Sequence, residues 1–236
     1  MPLISHQTGK QLIEILRGPD GEVLYDATLA VSSDNKLTAL NENWHDKKIE
    51  ASNRLLLQGN ELTLGAQSST LEASKLAWEI IKEGKSVGKS ADAKSSVLSK
   101  ADLDPLNYEG AVSGKSGTYT WEVNDACTIF GKINYVTIKV RLEGKFKATP
   151  TANSKAPAGH YLPDVYVNVT HCTTKFPCSA SGSANLSNPS NIGRGEVNTE
   201  VKAHAKLTAG WFAQHFGITI GFQATGTGGF KLLGKE

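Results

Sequence analysis

The residues best suited to metal chemistry lie in one stretch of the second half of the chain. They are His160, His171, Cys172, Cys178 and His204. Imidazole and thiolate groups are the usual zinc ligands, but this spacing matches neither the Cys-x2-Cys nor the His-x3-His pairs of zinc sites. Exposed histidines on strands or loops explain the pattern better. We therefore expect no metal and no cofactor.

A thiol nucleophile is the next chemistry to consider. Cys127 could be activated by His160 or His171 if the fold brought them together, because such partners need to be close only in space. The residues around Cys127 alternate as in a strand, which favours packing over catalysis. His-Glu-x-x-His does not occur in the sequence, and the one Gly-x-Ser-x-Gly match, at residues 84–88, lies in a stretch rich in Ser, Lys, Gly and Ala that is typical of a linker. We assign no catalytic residue and lean against an enzyme.

Two glycine-rich segments imitate a phosphate-binding loop, at residues 84–90 and 110–116. Each has three residues between its glycines, where the phosphate loop needs four, so the backbone nest would not form in register. We interpret both segments as flexible chain.

Cys172 and Cys178 bracket the sequence Thr-Thr-Lys-Phe-Pro. A loop of this length could bring their Cα atoms within about 7 Å, as a disulfide requires. A bridge would need an oxidising destination, whereas a reducing compartment would leave two half-buried thiols. The sequence leaves both alternatives open.

An aromatic group joins two long alternating runs near the C-terminus, and its members are Trp211, Phe212, His215 and Phe216. The runs span residues 197–209 and 218–224, and their alternation predicts one buried and one solvated face. Connections at the end of a rigid sheet are where binding residues are commonly placed. We expect the four side chains to project from one end of the fold as a contact surface for a protein partner or lipid.

The alternation elsewhere predicts a mainly β fold. The first third indicates antiparallel hairpins, with turns near residues 18–21, 33–35 and 59–60. Helical spacing then predicts one amphipathic helix over residues 70–83, whose apolar stripe is Ala73, Leu76, Ala77 and Ile80. The second half predicts an antiparallel β-sandwich or small barrel.

Composition suggests how these elements are divided. Residues 85–117 are rich in Ser, Lys, Gly and Ala, which is typical of a linker. We predict a hairpin-plus-helix unit over residues 1–84 and a β-sandwich over residues 118–236.

The charge balance argues against a nucleic-acid partner. The chain has 25 basic and 23 acidic residues and a net charge of +2, so no global field attracts phosphate. The first residues lack the pattern of a signal peptide, and no window has about 18 uninterrupted apolar residues. We expect synthesis in the cytoplasm and leave export by a route other than Sec open.

Residues 48–66 resemble the short β repeats at the ends of type VI secretion spike proteins. The resemblance covers under a tenth of the chain, implies no site residue, and favours a phage-like or injection apparatus as the setting. The leading hypothesis is a non-enzymatic interaction or structural protein that binds a protein partner or its own copies. A β-pore-forming toxin that inserts a hairpin is the alternative, and an enzyme without a recognisable motif is the third.

Overall fold

The computed structural model describes residues 9–45, 76–77, 93–126, 133–186 and 189–233. These residues form seventeen β-strands and one 3-10 helix, and no α-helix lies among them. The strands are β1 (Lys10–Arg17), β2 (Val23–Val31), β3 (Leu37–Trp44), β4 (Leu76–Ala77), β5 (Ala93–Val97), β6 (Tyr108–Glu109), β7 (Val112–Lys115), β8 (Tyr119–Asp125), β9 (Asn134–Phe146), β10 (Thr149–Pro150), β11 (Gly159–His160), β12 (Leu162–Thr174), β13 (Cys178–Leu186), β14 (Ser190–Asn191), β15 (Val197–Trp211), β16 (Gln214–Thr225) and β17 (Phe230–Leu233). The 3-10 helix is Pro105–Asn107.

Two antiparallel sheets account for most of the strands. The first sheet has the order β3-β2-β1-β8-β9-β12-β5. β8 pairs with the first part of β9, and β7 pairs with the last part of the same edge of β9. The second sheet has the order β17-β16-β15-β13-β4, and β11 and β14 also pair with β15. The β11–β15 pairing is parallel. Neither sheet closes into a barrel, since their described edges are different strands.

Period-two alternation explains why the central strands form where they do. In β9, the side chains of Ile138, Val140 and Leu142 are fully buried, whereas Lys139 and Arg141 between them lie on the outer face. A strand with one apolar face gains stability only when a second layer covers that face. The predicted alternation of this strand is confirmed.

A single hydrophobic cluster joins the inner faces of the two sheets. Edge-to-face ring pairs cross between them: the centroids of Trp121 and Phe216 are 6.3 Å apart, and those of Tyr119 and Phe222 are 5.4 Å apart. A fully buried side chain of this size contributes about 1.5–3 kcal/mol relative to an exposed one. The two sheets therefore share their core.

The structure describes only two residues of the predicted amphipathic helix, and for both of them the prediction is wrong. Leu76 and Ala77 form β4, which pairs with Ala184 and Ser183 of β13. An isolated helix of this length is marginal in water, so tertiary pairing with an available strand overrides helical propensity. The remainder of residues 70–83, including Ala73 and Ile80, lies outside the described residues, as does the hairpin predicted around residues 59–60.

The strands of the two predicted units meet in one sheet, because β1 pairs with β8 from Leu12–Asp125 to Arg17–Thr120. Three strands, β5, β6 and β7, fall within the predicted linker of residues 85–117. Independent folding of residues 1–84 and 118–236 stays a prediction.

Two long strands define the two ends of the molecule. β9 and β15 both run from one end of the molecule to the other. At one of these ends β15 turns into β16, and residues 175–177 connect β12 to β13. We call this the aromatic end. The opposite end is where β9 leads into β10 and where β15 begins. Within the described ranges, the structure contains no helix of the length and apolarity needed to cross a membrane.

Candidate functional site

The β15–β16 hairpin positions the predicted aromatic residues. Its pairing is continuous from Glu200–Thr225 to Trp211–Gln214, so the turn itself consists of Phe212 and Ala213. Phe212 has φ of 51°, a left-handed conformation that costs a residue with a Cβ about 1–2 kcal/mol. The pairing of the whole hairpin holds Phe212 in this conformation at its tip.

The inner and outer faces predicted for this hairpin are confirmed over most of its length. The buried members are Val201, Ala203, Ala205, Leu207, Ile218, Ile220 and Phe222. The outer face carries Lys202, His204, Lys206 and Gln223. Val197, predicted to share the buried face, is partly exposed and packs instead on a smaller cluster at the opposite end.

The expectation that all four aromatic-group residues project from the fold is wrong for two of them. Phe212 is 53% exposed and His215 is partly exposed, whereas Trp211 and Phe216 are buried. Phe216 lies opposite Ala209 on the inner face and packs on Trp121. The Trp211 ring lies 5.5 Å from the ring of Tyr135 in the first sheet, at 82°. The pleat turns both side chains inward because pairing extends almost to the tip.

Sequence reasoning missed the most exposed aromatic residue of this end. Phe176, on the connection from β12 to β13, is 75% exposed, and its ring centroid lies 6.5 Å from that of Phe212. The Phe212 centroid lies 5.6 Å from that of Trp211. The rings of Tyr135, Trp211, Phe212 and Phe176 thus form one edge-to-face series from the core to the surface, which we call the aromatic series. The sequence signal that could have identified this exposed residue is the Phe-Pro pair between two alternating runs, because it marks the connection between two strands.

A charged group supports the inner half of the aromatic series. Lys10 Nζ donates a hydrogen bond to Tyr135 Oη at 2.6 Å, lies 3.5 Å from an Asp125 carboxylate oxygen, and sits 4.8 Å from the ring centroids of both Tyr135 and Trp211. Burial lowers the pKa of Lys10, but its hydrogen bonds and charge interactions with Tyr135 and Asp125 outweigh burial and raise the pKa above its ordinary value. A cation over an aromatic ring contributes about 0.5–1 kcal/mol at an exposed site. Lys10 therefore links β1 to the second sheet.

The two described cysteines are buried free thiols. Burial raises the pKa of Cys172 to about 11 and that of Cys178 to about 12, although the Lys10 charge partly opposes the shift at Cys178. The thiolate is the reactive form, so neither thiol is suited to nucleophilic chemistry near neutral pH. The structure has the two cysteines as the reduced alternative of the sequence analysis describes them, and Cys127 lies outside the described residues.

The structure separates the residues considered as metal ligands. His171 is exposed while its neighbour Cys172 is buried, and His160 lies in β11. His204 is on the outer face of β15, where burial and the charge of Lys202 lower its pKa. In the part of the chain that the structure describes, no group of three or more His, Cys, Asp or Glu side chains could hold a metal ion.

Comparisons of the chain with protein-family models, with curated proteins and with solved structures found no match.

Proposed function

We propose that this is a non-enzymatic interaction protein, a two-sheet β-sandwich that binds a protein partner or a second copy through Phe176 and Phe212. The observation that carries the proposal is the exposure of these two rings, 75% and 53%, side by side on neighbouring connections. An exposed phenylalanine gives up the roughly 1.5–3 kcal/mol that burial would provide. A partner that covers both rings recovers this free energy.

The rigid base of the aromatic series favours tight binding. Phe212 packs on Trp211, which is only 2% exposed and is itself held by Tyr135 and Lys10. A side chain that is already ordered loses little conformational entropy when a partner binds. Aromatic anchors of this kind carry most of the binding free energy in many protein interfaces.

The surroundings of the two rings are polar. Lys175 is exposed next to Phe176, and the β2–β3 turn contains an exposed ion pair between Lys36 and Asp34 with N and O 2.9 Å apart. The amide of Gln214 reaches that turn, since its Oε1 accepts a hydrogen bond from Leu37 N at 2.6 Å. An apolar centre within a polar rim is the usual arrangement of a protein–protein interface.

A role as component or cargo of a phage-like or injection apparatus is the narrower form of this proposal. Its support is the sequence resemblance of residues 48–66. A nucleic-acid partner is not proposed, because the net charge is only +2.

A β-pore-forming toxin is the second candidate, and the length of the β15–β16 hairpin favours it. These strands have 15 and 12 residues, and a membrane-crossing strand needs about 9–11. The inner face of the hairpin, however, packs on the first sheet through Phe216 and Phe222. Insertion would have to break these contacts, so the candidate requires the hairpin to leave the core.

Photo-crosslinking tests the proposal directly. A benzoylphenylalanine at position 212 should give one discrete protein adduct in cells that express the protein, and the added substitution Phe176→Ser should abolish it. The matched control is benzoylphenylalanine at position 106, because Leu106 is 86% exposed on the 3-10 helix and should give no such adduct. Equal adducts at positions 106 and 212, or none at 212, would contradict the proposal. Dye release from liposomes that Phe212→Ser leaves unchanged would favour the pore-forming candidate instead.

A further inference from the structure

A cleft of about 380 Å³ lies at the end of the molecule opposite the aromatic end. It is lined by Thr149 and Pro150 of β10, by Thr151 of the following loop, by His160 of β11 and by Glu196. Pockets for small ligands usually measure about 300–1,000 Å³. The cleft therefore suits a ligand at the small end of that range.

The loop that walls the cleft is fixed in place by a carboxylate behind it. Asp102 accepts hydrogen bonds from Ser154 Oγ at 2.7 Å and from Lys155 N at 3.3 Å, and Asn107 Nδ2 donates to both oxygens of the same carboxylate. Tyr161 Oη donates to Pro157 O at 2.9 Å. The wall is thus ordered before any ligand arrives, which lowers the entropic cost of binding.

The backbone of His160 is clamped by close approaches that only glycine permits. Gly159 has φ of +152°, and a Cβ there would lie 2.1 Å from Val197 O. A Cβ on Gly226 would lie 2.1 Å from His160 O, which also accepts a hydrogen bond from Thr199 Oγ1 at 3.2 Å. The imidazole therefore projects from a fixed backbone.

One ring nitrogen of His160 has its hydrogen-bonding capacity unused. Its Nδ1 is buried and has no hydrogen-bond partner in the described structure, and His160 is one of the residues that line the cleft. An unpaired buried polar atom costs about 1–3 kcal/mol. A ligand hydroxyl would supply the missing hydrogen bond once the imidazole ring turned this nitrogen toward the cleft.

The lining indicates the kind of ligand. The lining residues with polar side chains are Thr149, Thr151, His160 and Glu196, the others are proline, alanine and glycine, and neither Lys nor Arg is among them. An anion would meet the Glu196 charge without a compensating cation, so anionic ligands are disfavoured. A sugar ring offers hydroxyls that both donate and accept, together with C–H groups that pack on apolar carbons.

We propose that this cleft binds a neutral saccharide unit, with Glu196 accepting hydrogen bonds from its hydroxyls and Thr149, Thr151 and His160 completing the contacts. The site is independent of the aromatic end, because it lies at the far end of β9 and β15.

The test uses the methyl glycosides of glucose, galactose, mannose and N-acetylglucosamine as probes, and glucuronate as the anionic comparison. Each is added to the ¹⁵N-labelled full chain at about 20 mM, which mostly fills a site with a millimolar Kd. At least one neutral glycoside should shift the amide signals of Thr149, Thr151 and His160 saturably. Glu196→Gln should weaken that binding about tenfold or more, while Glu109→Gln, an exposed carboxylate on the neighbouring β6 outside the lining, should leave it unchanged.

Three outcomes would overturn the proposal. They are no saturable shift with any of the four neutral glycosides, binding that Glu196→Gln leaves at full strength, and binding of glucuronate alone. The Phe176→Ser/Phe212→Ser variant should bind the glycoside normally, so this test succeeds or fails separately from the proposed partner contact.

Discussion

The aromatic end and the cleft end hold their exposed groups in different ways. At the aromatic end, contacts between side chains fix the exposed group: Phe212 packs on Trp211, and Trp211 contacts Tyr135 and Lys10. At the cleft end, backbone meets backbone, as where Gly159 passes against Val197. The difference teaches that the position of Phe212 should be sensitive to truncation of the ring beneath it, whereas the backbone at His160 should be sensitive to a single Cβ added at Gly159.

Truncation at the aromatic end should give the largest effect. Trp211→Ala removes a side chain that is only 2% exposed and should lower the free energy of unfolding by about 3–5 kcal/mol. Phe212→Ala, at 53% exposure, should cost less than about 1 kcal/mol. Urea denaturation of both variants measures the contrast. Similar losses for the two residues would mean that Phe212 is a core residue and not a contact residue.

Addition of a Cβ at the cleft end should give the next largest effect. Gly159→Ala would place its Cβ 2.1 Å from Val197 O, so the two backbones must separate, at a cost of about 1–3 kcal/mol. Gly195→Ala is the matched control, since Gly195 also has positive φ but has nothing within 4 Å of the added Cβ. The control isolates the conformational cost, about 1 kcal/mol. If thermal or urea unfolding showed the same loss of stability for Gly159→Ala and Gly195→Ala, the close approach of the two backbones would not be what stabilises the cleft end.

A pH effect should arise between the two ends, on the outer face of β15. Burial and the Lys202 charge lower the pKa of His204 in the folded protein. Protonation therefore favours the unfolded chain, so this group's stabilising effect is complete above the unfolded pKa of about 6.5 and is lost as pH falls through the folded pKa. Unfolding free energies measured across this range should decline less in His204→Gln than in the original chain. Parallel declines would show that His204 is not the responsible group.

The smallest effect concerns thiol reactivity at the aromatic end. In a Cys127→Ser background, the buried Cys172 and Cys178 should react with Ellman's reagent only after unfolding, because the raised pKa of each suppresses the thiolate. Fast reaction of the native protein would contradict this expectation. No reaction even after unfolding, together with a mass lower by two hydrogens, would establish the alternative in which Cys172 and Cys178 form a disulfide.

The faces of the β15–β16 hairpin were predictable because strand side chains alternate with a fixed period of two. Its turn was not. The residue with positive φ in a tight hairpin turn is usually Asn or Gly, which makes such turns recognisable in a sequence. In this turn the residue with positive φ is Phe212, and the nearby Gly217 lies inside β16. A Cβ on Gly217 would lie 2.0 Å from Leu207 O, so this glycine serves strand packing. The turn therefore looked longer than it is, and Trp211 and Phe216 looked exposed.

Contacts between sequence-distant residues account for what else could not be predicted. Phe176 meets Phe212 only because β12 and β13 belong to different sheets that converge at the aromatic end. The pairing of β4 with β13 depends on a strand more than a hundred residues away along the chain. Periodicity within a segment carries no information about such partners.

The lengthwise course of β9 and β15 has a mechanical consequence. Strands of 13 and 15 residues are about 40–50 Å long, and they connect the vicinity of Phe212 to the vicinity of Val197. Tension that pulls β15 toward one end and a strand paired with it, β13 or β16, toward the other acts parallel to the strands, so it loads many ladder hydrogen bonds in shear at once. Forced unfolding is governed by the unfolding rate, and we expect that rate to be lowest for this pulling direction.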